Sequence, residues 1–217
     1  MNPPLELHQI ALPVMACLTL AVLAVRVPRY RFALMGLVAV VGYAILQDQV
    51  SARLCPEYFT VLHKPIPGVT DPTLLGACWG FLGGWWGGLI LGYAVGLVAT
   101  LGPRPQLTPR ELVRPMALLV GAVACCTALT GVSVWRHAEM LGVALDAGMA
   151  ELVPPRRHKA LLTVACYHLV SYASSVVAGV VLCVWVAAQR RKRAKAEEGS
   201  PAKPQPADEP VLPMSRQ

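Results

Sequence analysis

Residues 73–101 read TLLGACWGFLGGWWGGLILGYAVGLVATL, twenty-nine positions without a charged side chain. A helix rises about 1.5 Å per residue, so this stretch reaches about 43 Å and can cross a hydrocarbon core roughly 30 Å thick. Within it Gly76, Gly80, Gly84, Gly88, Gly92 and Gly96 recur at every fourth position, and Gly83 and Gly87 form a shorter parallel pair. Glycine disfavours helices in water, but in a bilayer small residues let two helix backbones approach closely. The segment therefore reads as a membrane span with a bare stripe. Four residues turn a helix by about 400°, so the stripe winds round its surface and suits a right-handed crossing. The stripe is expected to pack inside the bundle, with a dimer seam as the alternative.

The rest of the chain agrees. Of 217 residues 55% are apolar and 14% charged, against about 25% charged in a soluble domain. Further apolar runs place spans at about 5–25, 32–46, 115–135 and 160–188, beside 73–101. The expected fold is all-α: a polytopic transmembrane bundle of about five helices over residues 1–188, followed by a basic and then disordered tail over 189–217. The leader before the first run holds no lysine or arginine and no small-x-small cleavage site follows, so a retained helix is expected rather than a cleaved signal. Arg26, Arg29 and Arg31 force a turn after it, since burying three arginines mid-bilayer costs on the order of 8 to 10 kcal/mol. Residues 47–72 are expected outside the hydrocarbon. In 137–159, Leu141, Ala144, Leu145, Gly148 and Leu152 share a helical face and suggest an interfacial helix.

Orientation follows from the basic residues. Arg26 to Arg31, Arg104 to Arg114 and Arg190 to Lys195 contribute eleven lysines and arginines on one side, against six on the other, at Arg53, Lys64, Arg136, Arg156, Arg157 and Lys159. The excess marks the cytoplasmic side, so the N-terminus is expected outside and the C-terminus inside. The net charge of +7 belongs to these flanks and gives no ground for a nucleic-acid partner. Six of the seven cysteines lie in apolar runs and read as small fillers. Cys55 is the one expected to meet water.

Few residues carry chemistry. His168 and Tyr172 lie one turn apart in the last span, on the face that also carries Ser171, Ser175 and Gly179, and an ionisable group inside a span is a functional candidate. That face is also the expected mate of the glycine stripe. Asp48, Glu57 and His63 lie in the first long polar segment. With His168 they form the candidate acid–base or ligand cluster. Their spacing fits no zinc, calcium or phosphate-loop signature, so neither a metal nor a cofactor is expected. Asp71-Pro72-Thr73 reads as a helix start, with aspartate as N-cap and proline at the first turn.

The run GYAILQDQVSARLCPEYFTV at 42–61, followed by Asp71-Pro72-Thr73, the tryptophan- and glycine-rich span and the late His168-Leu169-Val170-Ser171-Tyr172, resembles a group of uncharacterised bacterial integral membrane proteins with a DQ...PEYFT segment. The resemblance covers most of the membrane part. Members often carry histidine where this chain has Gln47. The likeness implies a multi-pass protein of the bacterial inner membrane and supplies no activity. Three functions follow as expectations. The first is a structural or accessory protein that meets lipid and a membrane partner or a second copy through the glycine ladder. The alternative is a membrane enzyme or a metal- or ligand-binding protein using the outer cluster. A small transporter is third, with neither paired broken helices nor an internal repeat to support it.

Overall fold

The computed structural model describes residues 3–199. Five long helices, α1 (Leu7–Arg26), α2 (Pro28–Leu54), α4 (Pro72–Thr100), α5 (Pro109–His137) and α7 (His158–Glu198), are joined by two short ones, α3 (Glu57–Thr60) and α6 (Ala147–Glu151), and a 3-10 turn at Pro155–Arg157. Each long helix is long and apolar enough to span a bilayer. The fold is a polytopic helical bundle, as the sequence suggests.

Contacts sort the connections to two ends. Leu5 N–H donates to the Pro65 carbonyl, and Arg157 bridges to Glu57, so the segment leading into α1 and both long connections share one end, the loop end. At the other, Arg190 of α7 reaches the α4–α5 connection, and Arg31 of α2 donates to the carbonyls of Ala24 and Val25 at the end of α1.

The glycine ladder packs inside the chain, but against α2 rather than α7. A β-carbon on Gly80 would stand 2.5 Å from Ile45 Cα, one on Gly88 2.8 Å from Leu37 Cα, and one on Gly92 2.6 Å from the Phe32 carbonyl. At Gly36 the bareness is mutual, for its β-carbon would lie 2.5 Å from Gly92 Cα. These obstacles are backbone and cannot rotate away. The expected mate contributes differently: Gly179 of α7 accommodates the side chain of Leu91, whose Cδ2 would be 2.6 Å from a β-carbon there. Gly83 and Gly87 face open space.

Several boundaries differ from expectation. The second helix does not stop at residue 46; it continues through Gln47, Asp48 and Ser51 to Leu54, because α4 and α7 cover these polar residues. The segment 137–159 is not one interfacial helix: between the end of α5 and the 3-10 turn at Pro155–Arg157 it is a set of turns, one of them at positive-φ Gly142, with only Ala147–Glu151 helical there and capped by Asp146. The basic run after residue 188 does not end the last helix, which extends to Glu198 with Arg190 buried on its inner side. The remainder of the expected tail, from residue 200, lies outside the described residues. The start of α4 is as expected, with the Asp71 carboxylate accepting from Leu74 N–H and Pro72 in the first turn.

All four last carbonyls of α4, the groups a helix leaves unpaired, are satisfied. Leu97 accepts from Leu101 N–H and Ala99 from Leu107 N–H, Thr100 from Gln106 Nε2, and Val98 from Arg190 at 2.6 Å. The same guanidinium serves the Arg104 and Pro105 carbonyls.

Candidate functional site

Extension of α2 by two turns brings its polar face into the bundle near the loop end. There Asp48 and Ser51, about one turn apart, meet His168 of α7. His168 Nε2 lies 2.9 Å from Ser51 Oγ and 3.4 Å from Asp48 Oδ1, and its Nδ1 lies 3.3 Å from the Tyr172 hydroxyl. Ser51 Oγ also lies 2.7 Å from the Tyr167 hydroxyl and donates to the Gln47 carbonyl at 3.2 Å. Asp48, Ser51 and His168 are no more than 5% exposed. One arrangement of protons satisfies this network: Tyr172 donates to Nδ1, Nε2–H faces Ser51 and the Asp48 carboxylate, and Tyr167 donates to Ser51.

An aromatic shell encloses the imidazole. Its ring centroid is 4.5 Å from that of Tyr58 and 5.1 Å from that of Tyr167, with Phe59 beyond. The PEYFT segment supplies Tyr58 and Phe59 through the single turn of α3.

Of the four candidates, Asp48 and His168 meet, and Glu57 and His63 have other partners. The Glu57 carboxylate accepts two bonds from Arg157, at 2.7 and 2.8 Å, while the same guanidinium donates to the Leu54 carbonyl. Burial pushes the Glu57 carboxyl upward, but the hydrogen bonds it accepts from Arg157, a backbone N–H and Cys55, together with the Arg157 charge, outweigh burial and hold the group below its ordinary range. His63 Nδ1 lies 2.7 Å from the Tyr58 carbonyl, and its ring packs on Tyr58 and Trp79. Among the described residues no three His, Cys, Asp or Glu side chains group as metal ligands.

Cys55 does not meet water. It caps α2 beneath Tyr58 and Phe59, is fully buried, and its Sγ donates to Glu57 at 3.4 Å. Burial pushes its thiol up to about 11, so it stays protonated and unreactive at neutral pH.

The arrangement resembles a Ser-His-Asp relay in composition alone. In such a relay the acid and the hydroxyl occupy opposite ring nitrogens. Here both face Nε2, and Ser51 is wholly enclosed, so no substrate reaches it in this conformation. What the cluster does is join α2 to α7 through groups that satisfy one another.

Comparison with family profiles, curated proteins and solved structures returns no match. Sequence reasoning missed Ser51, Tyr58 and Tyr167 as members of the cluster. Ser51 was legible in principle, because it shares a helical face with Asp48 once α2 is allowed to continue past Gln47.

Proposed function

We propose that this protein is a structural or accessory component of a larger membrane assembly, set in the bacterial inner membrane with its loop end outward. One observation carries the reading: the glycine ladder and the buried Asp48–Ser51–His168 network are both used within the chain, while a second glycine-bearing face of α4 is left open. The ladder is filled by α2, and the Asp48–Ser51–His168 network closes on itself. The face of α4 bearing Gly83 and Gly87 has no neighbour within 4 Å of either β-carbon position, and Trp86, Ile90 and Tyr93 on that side are 55%, 60% and 38% exposed. Association with a second copy or a partner helix belongs to this face, because the ladder itself is occupied.

The outer-site alternative has less support, since Glu57 is paired with Arg157 and the Asp48–His168 contact is sealed. Transport has less again, the buried acid and base forming a closed cluster at one end of the bundle.

The test separates two classes of glycine. Gly88→Leu is expected to unfold the α2–α4 pair, with a fall in thermal stability and loss of monodisperse protein. Gly83→Leu with Gly87→Leu is expected to leave melting unchanged and to abolish association, read by native mass spectrometry or crosslinking in membranes. Unchanged association in the Gly83/Gly87 variant sinks the proposed role of that face.

A further inference from the structure

A groove of about 630 Å³ runs along the bundle between α2, α5 and α7, within the size range of small-molecule sites. Its deep end is closed by a hydrogen bond from Tyr43 on α2 to Thr127 on α5, at 2.8 Å. Its flank opens sideways to the bilayer, where Leu46, Val50 and Val132 are 70%, 60% and 53% exposed. Toward the loop end it reaches Leu54, Trp135 and Arg136. The Lys159 ammonium sits 4.7 Å from the Trp135 ring centroid, which places a second cation beside the mouth.

Three features single this groove out from ordinary lipid-facing surface. Arg136 and Lys159 have no carboxylate partner among the described residues, whereas neighbouring Arg157 is committed to Glu57. Gln47 lines the groove and sets an amide in a spanning segment, where polar side chains are rare. Trp135 stands at the mouth, in the position where aromatic side chains mark the level of lipid headgroups.

We propose that this groove holds a membrane phospholipid with an anionic headgroup, one acyl chain along the apolar wall and the phosphate at Arg136 and Lys159. An ester carbonyl accepts from Gln47 Nε2–H, the end of that amide left accessible while Oε1 is buried. The assignment also gives Arg136 and Lys159 a reason to stand on the side poorer in basic residues: they serve a ligand rather than orientation.

The experiment compares retention of phosphatidylglycerol and phosphatidylcholine by the full-length protein, after delipidation in mild detergent and addition of each lipid, using native mass spectrometry. Wild type is expected to prefer phosphatidylglycerol by roughly tenfold to thirtyfold, the scale set by two basic groups near an anionic headgroup. Arg136→Gln with Lys159→Gln is expected to remove the preference at unchanged melting temperature. Ala128→Trp, which fills the groove from an exposed position on α5, is expected to reduce binding of both lipids. Equal retention of the two lipids by wild type overturns the proposal, as does a preference that survives in the double variant or undiminished retention in Ala128→Trp.

Discussion

Asp48 and Glu57 stand nine residues apart and meet opposite fates. Asp48 lies inside α2 and is enclosed with an imidazole and a serine hydroxyl, whereas Glu57 lies just beyond the helix and is held by a guanidinium at the margin of the bundle. Glu57 yields the clearer expectation. Because its carboxyl titrates below the ordinary glutamate range in the folded protein, its contribution is complete above that range and is lost as pH falls through the folded value. Glu57→Gln is expected to cost about 1 to 3 kcal/mol at neutral pH, the scale of a hydrogen bond to a charged group. It is also expected to flatten the fall in stability on acidification. A melting series from neutral to acid pH checks both, and coincident curves for the two proteins would mean that the pair contributes nothing.

Among the elements, α4 and α7 show how a membrane helix can be fixed without a water-driven core. α4 gives up side chains to reach α2, and its last carbonyls are taken by a connection and by an arginine from α7. Arg190 is 6% exposed and serves three carbonyls, a geometry that the planar guanidinium fits and an ammonium does not. Arg190→Leu is expected to lower stability by about 3 kcal/mol, because it strands those carbonyls, and Arg190→Lys to recover only part of it. Full stability of the leucine variant in thermal unfolding would show that water replaces the side chain. The ladder was legible from sequence because its period is a local property. Its partner was not, since of the two glycines in α2 only Gly36 meets α4, and most other close approaches are to backbone that any residue supplies. The length of α2 was misread for a related reason: Gln47, Asp48 and Ser51 look like the start of a loop until residues far along the chain cover them.

For the whole molecule, the proposed orientation with the loop end outward rests on the charge count alone. Gln106→Cys and Glu139→Cys, both at exposed positions of opposite connections, test this with a membrane-impermeant maleimide. Glu139→Cys is expected to react in intact cells and Gln106→Cys only after permeabilisation; the reverse pattern inverts the protein. The number of spans was readable from apolar run length, and the convergence of Asp48 with His168 was not, because no local pattern joins residues 120 positions apart in sequence.

The closeness of α2 and α4 also bears on how this gene can change. Every missense change reachable from a glycine codon by one base adds a β-carbon, and at Gly36, Gly76, Gly80, Gly88 and Gly92 that carbon would fall within 3 Å of another helix's backbone. Any missense change at those five codons therefore requires α2 and α4 to move apart and is expected to be selected against, while Gly83 and Gly87, a fraction of a turn away, are free to drift unless a partner constrains them. Substitution patterns at those two codons, set against the five, would record whether this face has been held by another protein over evolutionary time.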